Sequence, residues 1–158
     1  METTRHYTAT VYVVADGATA LHHHDRLGIT IPPGGHVHQD ELPHDAGVRE
    51  VREEIGLEPT LVTADLGAEL TTETGRPLPQ PRYQMLYDID TFDGDVAHQH
   101  VDHVYFARVP SRDVDPDTDE APAERWDWYT KADLRASGLD TDVVRIGTEA
   151  IEAVESRA

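Results

Sequence analysis

The sequence predicts a mixed α/β fold in which helices cover both faces of a β-sheet. Three observations lead to this prediction. Segments rich in β-branched and aromatic residues recur along the chain, a helical segment lies between the early and late ones, and an amphipathic segment closes the chain. With 158 residues the chain has about the length of one domain, so we expect a single domain over residues 1–158.

The strand predictions follow from runs of Val, Ile, Thr and Tyr that end at turn residues. Residues 7–14 form the first predicted strand, and residues 18–23 pair with it across a turn at Asp16-Gly17. Residues 29–31 form a short strand that stops at residues 32–35, Pro-Pro-Gly-Gly, which we interpret as a loop. The remaining predicted strands cover residues 60–69, 82–89, 101–109 and 125–129.

Helices are predicted at three places. Residues 43–55 form the first helix, with Pro43 in its first turn and Gly56 as its stop. A short helix is predicted at residues 131–136. Residues 141–156 place apolar side chains on one stripe, which predicts a helix that docks on the sheet. The stripe consists of Val143, Ile146, Ala150, Ile151 and Val154.

The charge balance restricts the partners of this protein. Asp and Glu number 31 against 13 Lys and Arg, which gives a formal net charge of −18, and the one lysine is Lys131. Such a surface repels nucleic acids and anionic membranes, so we expect neither as a partner. An acid excess with so little lysine is typical of a protein adapted to molar salt, where the screening length falls to about 3 Å. A mesophilic acidic protein is the alternative.

Other features of the composition exclude further classes. No apolar run approaches the roughly 20 residues of a membrane span, and the start lacks the pattern of a secretory signal, so we expect a cytoplasmic protein. Cysteine is absent, which excludes disulfides and thiolate chemistry. The acidic, proline-rich segment 110–124 is interpreted as a solvated loop, although loops of this length often carry function.

The most informative stretch is 35–57, GHVHQDELPHDAGVREVREEIGL. On a helix, Glu50, Glu53 and Glu54 fall within an arc of about 100°, beside an apolar arc. Like charges at this spacing oppose helix formation unless a cation relieves them, and Mg²⁺ prefers such oxygen ligands. A solvated face is the alternative for the three glutamates alone. The preceding glycines and Arg49, which can reach back to Glu41, favour a site.

The same stretch resembles the signature of the Nudix hydrolases, G-x5-E-x7-R-E-U-x-E-E-x-G-U, where U is a bulky aliphatic residue. The matching residues are Gly35, Glu41, Arg49, Glu50, Val51, Glu53, Glu54, Gly56 and Leu57. The resemblance implies an α/β/α sandwich with a mixed sheet. It also implies hydrolysis, dependent on Mg²⁺ or Mn²⁺, of a nucleoside diphosphate linked to another moiety.

Position by position, the resemblance implies a role for each matching side chain. The implied metal ligands are the carbonyl of Gly34 and the carboxylates of Glu50, Glu53 and Glu54. Glu41 and Arg49 form the implied structural pair. Some members of the family add a carboxylate from a late loop. The candidate for it is Glu120, and the alternatives are Asp117, Asp119 and Glu124.

The expected reaction is in-line attack of water at phosphorus, with positioning and electrostatics supplying most of the rate. Glu54 is the first choice for holding or deprotonating that water, and the catalytic set is completed by Glu53 and Arg49. Arg26, just before the glycine-rich loop, is the first candidate for a phosphate contact, with Arg76 and Arg82 as alternatives. Side chains able to stack on a base are Tyr83, Tyr87, Tyr105, Phe106 and Trp128.

Two groups of histidines stand apart from the signature. His22–His24 lie either at a strand end facing the phosphate cleft or in a solvated turn, and we favour the turn. Strand alternation puts His98, His100 and Asp102 on one face. Imidazole suits Zn²⁺ or Ni²⁺, so a transition-metal site is one interpretation, but substrate contact or plain exposure is favoured.

The expected partner is a small-molecule nucleotide, but the sequence leaves the substrate open. A MutT-like nucleoside triphosphatase competes with a hydrolase of nucleotide sugars or dinucleotides. A nucleotide sensor without turnover is the alternative from another class, and the three intact glutamates argue against it. An isomerase on the same fold is disfavoured because such isomerases rely on cysteine. The sequence is compatible with a homodimer as well as a monomer.

Overall fold

The computed structural model describes residues 2–64, 67–92, 94–119 and 121–157, of which the Phe92 side chain is not described. Within these residues, eight strands form one sheet. The strands are β1 (Thr4–Ala15), β2 (Ala18–His24), β3 (Ile29–Ile31), β4 (Gly34–His36), β5 (Thr60–Leu61), β6 (Tyr83–Phe92), β7 (Asp95–Arg108) and β8 (Trp126–Thr130). The helices are α1 (Pro43–Ile55), α2 (Lys131–Ala136) and α3 (Thr141–Glu155), and short 3₁₀ turns lie at Ala68–Leu70 and Ala123–Arg125.

The sheet is mixed, and its centre is a long parallel pair. β1 runs parallel to β7 from Thr4 opposite His98 to Val14 opposite Arg108. The other pairings are antiparallel: β2 and β4 pair with β1, β3 and β8 pair with β2, and β5 and β6 pair with β7. Because β1 and β7 are long and central, they carry residues of both layers and of the cleft described below.

Alternation along β1 divides the core into two layers. Val11 and Val13 are fully buried under α1, together with Val51 and Ile55 of that helix. Residues of opposite parity, among them Tyr12 and Val14, pack under α2 and α3. Helices therefore cover both faces of the mixed sheet, and the predicted α/β/α sandwich is confirmed.

The C-terminal helix packs through the predicted stripe. Val143, Ile146, Ala150, Ile151 and Val154 are all buried. α2 and α3 are joined by Ser137–Asp140, and α2 begins with a capping box in which Thr130 and Asp133 exchange hydrogen bonds. In the described part of the chain, none of the helices has the length and apolar character that a membrane crossing requires.

Three predicted elements differ from the structure, one of them the strand predicted at 101–109, because β7 already begins at Asp95. The predicted strand at 60–69 is too long, because among its described residues only Thr60–Leu61 pair with β7, opposite Arg108 and Ala107; residues 65–66 of this prediction lie outside the described residues. Further along, the same edge of β7 is occupied by β6, starting at Tyr83 opposite Val104, so a longer β5 has no ladder to join. The loop predicted at 32–35 is also partly wrong, since Gly34–His36 form β4 on the edge of β1.

Candidate functional site

Helix α1 presents the three signature glutamates beside strand β4. The helix starts at Pro43 and ends at Gly56, which adopts the left-handed conformation (φ 67°) and donates a hydrogen bond to the Arg52 carbonyl. Val51 and Ile55 anchor one side of the helix in the core. Glu54 is itself only 8% exposed, so this carboxyl is held at the boundary between the core and the cleft.

Two glycines allow β4 to approach both β1 and the glutamates. A Cβ on Gly34 would lie 2.6 Å from the Ala9 carbonyl oxygen, and one on Gly35 would lie 2.6 Å from the Glu50 carboxyl carbon. The Gly34 N–H donates to Glu54 Oε2 at 3.3 Å. Glycine is therefore required at both positions for close approach within a strand.

Arg49 joins the strand, the loop and the helix. Its Nε and Nη2 donate to the two oxygens of Glu41 at 2.7 and 3.0 Å, which is the bidentate arrangement. Its Nη1 donates to Glu50 at 2.8 Å and to Glu53 at 3.3 Å. Nη2 also donates to the carbonyl of His36 at 3.0 Å. The hydrogen bonds from Arg49 lower the pKa of Glu41 and keep its carboxylate charged.

The three glutamates lie close together, and the pKa of Glu50 is raised. Burial raises the pKa of Glu50, an effect that the hydrogen bond from Arg49 opposes only in part. Glu50 also shares a hydrogen bond with Glu54, and nearby Glu53 adds repulsion.

These features fit a hard divalent cation. Carboxylate and carbonyl oxygens are the donors that Mg²⁺ and Mn²⁺ prefer, and a cation would relieve the repulsion among the glutamates. Because Gly35 has no Cβ, the carboxylate oxygens of Glu50 can lie next to the strand backbone. The donor set brought together is Glu50, Glu53, Glu54 and the backbone of Gly34.

The acidic loop after β7 docks on the end of α1. The N–H of Asp115 donates to the Ile55 carbonyl at 2.9 Å, and that of Asp117 donates to the Glu53 carbonyl at 2.7 Å. This segment therefore satisfies carbonyls at the helix C-terminus, contrary to the interpretation of 110–124 as simply solvated. Glu120, the candidate for an additional carboxylate, lies outside the described residues. Asp117, Asp119 and Glu124 are exposed.

A cleft of about 1140 Å³ opens beside the glutamates. Its floor includes Asp102, which is 4% exposed and accepts hydrogen bonds from Thr8 at 2.8 Å and Thr10 at 3.0 Å. Tyr87 lines the wall and donates to Asp142 at 2.7 Å. Arg26 lines the rim and brings a positive charge to this acidic cavity. The size is adequate for a nucleotide.

The other predicted contacts are distributed between cleft, core and surface. Tyr105 and Phe106 are buried in the core, whereas Arg82 is exposed and pairs with Glu149 of α3 at 3.2 Å. The prediction that His22–His24 form a solvated turn is wrong. They end β2, and His22 and His24 line the cleft. Burial lowers the pKa of His22, which packs on Trp126, to about 4.

Sequence reasoning placed His98, His100 and Asp102 on one face of a strand but missed the residues of β1 and β4 that lie beside them. Thr8, Thr10 and Asp102 face the cleft because β1 and β7 are parallel and in a fixed register, with Thr8 opposite Asp102. Period-2 alternation could place each residue on a face of its own strand, but not opposite its neighbour. The same register brings His6 opposite His100, and β4 adds His36 opposite Thr8.

The fold and this carboxylate site define a family. The model of the NUDIX domain matches residues 4–146, and the chain therefore belongs to the Nudix family. Among curated proteins, none matches the chain. A hydrolase of the NUDIX family from Clostridium perfringens is 29% identical, with a TM-score of 0.82 over 96% of this chain and 99% of that one.

More distant structures share the fold. The MutT NUDIX hydrolase from Burkholderia pseudomallei is 21% identical, with a TM-score of 0.57 over 96% of this chain and 98% of that one. The Ap4A hydrolase of C. elegans is 16% identical, with a TM-score of 0.59 over 96% of each chain. At these identities the similarity establishes the architecture alone.

Proposed function

We propose that this chain is a Mg²⁺- or Mn²⁺-dependent pyrophosphohydrolase that cleaves a nucleoside diphosphate linked to another moiety. The observation that carries the proposal is the gathering of Glu50, Glu53 and Glu54 against Gly34–Gly35 at the edge of a nucleotide-sized cleft. Nudix hydrolases act on phosphoric anhydrides, which is the chemistry that such a carboxylate cluster serves when it binds a hard cation.

The residues that we assign to the divalent ion are Glu50, Glu53, Glu54 and the carbonyl of Gly34. Glu120 is proposed as an additional ligand. A bound divalent ion supplies charge neutralisation at the phosphates and a lower pKa for water. Arg49 and Glu41 are proposed to position the carboxylates, because Arg49 contacts Glu50 and Glu53 while both oxygens of Glu41 hold it.

Glu54 is proposed to accept the proton of the attacking water. Its carboxyl is buried and is oriented by the N–H of Gly34 at 3.3 Å, so it is more constrained than Glu53, whose side chain is 45% exposed. The water oxygen forms a bond to phosphorus, the bridging P–O bond breaks, and the proton passes to Glu54. The leaving phosphate carries away the electron pair of the broken bond.

The substrate is proposed to be an anionic nucleotide whose phosphates face Arg26 and the glutamates. The C. elegans relative is an Ap4A hydrolase, and an E. coli relative of 15% identity is a dihydroneopterin triphosphate pyrophosphohydrolase. Substrates of a MutT-like triphosphatase and of a hydrolase of linked nucleotides should therefore both be tested. We also infer from the acidic composition that the protein works in a salt-rich cytoplasm.

The test is a substrate panel in molar KCl with Mg²⁺ or Mn²⁺. Nucleoside triphosphates, nucleotide sugars and dinucleoside polyphosphates are incubated with the protein, and orthophosphate and pyrophosphate are measured separately. We expect turnover of at least one class, and complete loss of it when EDTA removes the metal. Glu54→Gln should lower kcat about 10²- to 10⁴-fold.

The matched control is Glu58→Gln, just beyond the same helix, where Glu58 is exposed and paired with Arg52. This variant should hydrolyse substrate like the parent. Near-normal kcat in Glu54→Gln would overturn the assignment of that residue. Nucleotide binding without release of either product from any substrate would instead support a sensor.

A further inference from the structure

Four histidines from three strands lie together near the N-terminal ends of β1 and β7. His6 lies on β1, His36 on β4, and His98 and His100 on β7. His6 is opposite His100 in the parallel ladder, and His98 is two residues before His100 on the same face. One ring nitrogen of each histidine lies within 4.8 Å of those of the other three.

The distance between two of the ring nitrogens is close to that between neighbouring ligands in a metal coordination shell. Nε2 of His36 and Nε2 of His100 are 3.4 Å apart. In a tetrahedral site with metal–nitrogen bonds of 2.0–2.1 Å, neighbouring ligand nitrogens are about 3.3 Å apart. The ring centroids of neighbouring histidines are 4.7–5.1 Å apart around the group, in edge-to-face contact. Small side-chain rotations would bring the remaining nitrogens to bonding distance.

The surroundings allow an ion to enter from solvent, and the backbone and the ligand type favour its binding. His6 and His36 are exposed, so the ligand atoms can be reached from solvent. Each strand supplies its histidines from hydrogen-bonded backbone, which fixes the Cα positions before any ion binds. Imidazole is a borderline ligand that suits Zn²⁺, Ni²⁺ and Co²⁺, whereas the carboxylates of α1 suit Mg²⁺.

We propose that His6, His36, His98 and His100 form a second metal site, which binds one divalent transition ion, with Zn²⁺ as the preferred occupant. The site is separate in chemistry from the glutamate cluster and does not depend on the proposed hydrolase function. It would tie β4 to β1 and β7. His36 follows Gly35 directly and its carbonyl accepts a hydrogen bond from Arg49, so the ion would fix the strand that supports the glutamates.

The test uses full-length protein without a histidine tag, titrated with Co²⁺ as a spectroscopic probe in saturating Mg²⁺. Magnesium occupies oxygen sites and leaves imidazoles free. We expect one equivalent to bind with the intense visible absorption of tetrahedral cobalt, and stoichiometric Zn²⁺ to abolish that band by displacement. Zn²⁺ at 100 times its Kd should also raise Tm by about 5 to 10 °C.

Variants distinguish this site from the other histidines and from the glutamates. His98→Gln/His100→Gln should lose both the band and the Tm shift. His23→Gln/His103→Gln removes two histidines that lie outside the cluster and should keep both. Glu53→Gln/Glu54→Gln should also keep both, even if it abolishes hydrolysis. Weak absorption typical of octahedral cobalt, or a band that persists in His98→Gln/His100→Gln, would overturn the proposal.

Discussion

Arg49 holds Glu41 through two nitrogens, with Nε 2.7 Å and Nη2 3.0 Å from the two carboxylate oxygens. The pair spans the loop between β4 and α1, and the remaining nitrogen of the guanidinium contacts Glu50 and Glu53. A planar, five-donor group is needed to make all these contacts at once, and lysine offers a single point of charge. The arrangement explains why one arginine can set the orientation of several glutamates.

Arg49→Lys should therefore impair catalysis while keeping the positive charge. Loss of the fork removes the orientation of Glu50 and Glu53, and loss of such supporting contacts costs about 10- to 100-fold in activity or metal affinity. The measurements are kcat and the Mg²⁺ concentration for half-maximal rate. Arg52→Lys, on the same helix but paired with exposed Glu58, is the control and should match the parent. Equal activity of Arg49→Lys and the parent would contradict the positioning role.

Gly35→Ala should lower activity more than stability. An added Cβ would lie 2.6 Å from the Glu50 carboxyl carbon, so this side chain must move away from β4. A displacement of about 1 Å at such a site can cost about 100-fold in rate. The Glu50 side chain can rotate, and the fold should survive, as circular dichroism and thermal unfolding will show.

Gly75→Ala is the control for that substitution. A Cβ there would meet its nearest neighbour, Thr72 Oγ1, at an ordinary 3.7 Å. It should leave kcat unchanged. If Gly35→Ala also retains parental kcat, the close approach of β4 to Glu50 has no bearing on catalysis.

Stability should rise with salt. Between about 0.1 M and 1 M KCl the screening length falls from about 10 Å to 3 Å, which weakens repulsion within a chain of net charge −18. We expect Tm to increase by at least about 5 °C, equivalent to about 2 kcal/mol for a chain of this size. Differential scanning calorimetry at a series of KCl concentrations measures the increase.

A charge variant separates screening from other effects of salt. Asp95, Glu124 and Glu152 are exposed acids on different parts of the surface. Replacing them together by Asn, Gln and Gln should raise Tm in low salt and flatten its dependence on KCl. An unaltered dependence, or a parent protein that is equally stable in dilute buffer, would argue for an ordinary acidic protein.

The bounds of the helices could be predicted well from local sequence features. Pro43 and Gly56 bracket α1 at the bounds that the sequence predicts, because a missing N–H and a left-handed residue act on their immediate neighbours. The strand at Gly34–His36 was missed for a related reason. Glycine has low strand propensity, and only the packed structure reveals that Ala9 and Glu50 leave no room for a side chain.

Features that depend on register were beyond the sequence. The short β5 reflects competition with β6 for one edge of β7, which no local pattern records. The same holds for the cleft floor, where Asp102 meets Thr8 and Thr10, and for the meeting of His6 with His100. The linear motif could indicate the glutamates because five of its acidic and basic residues lie on one helix or just before it.

Stability should fall at alkaline pH through two tyrosines of the cleft. Burial, reinforced by nearby Tyr87 and Asp142, raises the pKa of Tyr12 well above its ordinary value of 10.0. Burial and the hydrogen bond to Asp142 raise the pKa of Tyr87 as well. Because the unfolded chain loses these protons first, stability is complete below about pH 10 and declines as the pH rises further.

In urea unfolding followed by circular dichroism, Tyr12→Phe should reduce this decline by up to about 1.4 kcal/mol per pH unit. At neutral pH, Tyr12→Phe should still unfold in one cooperative transition, which shows that the variant is folded. A decline above about pH 10 that is as steep in Tyr12→Phe as in the parent would show that the buried phenol does not govern alkaline unfolding.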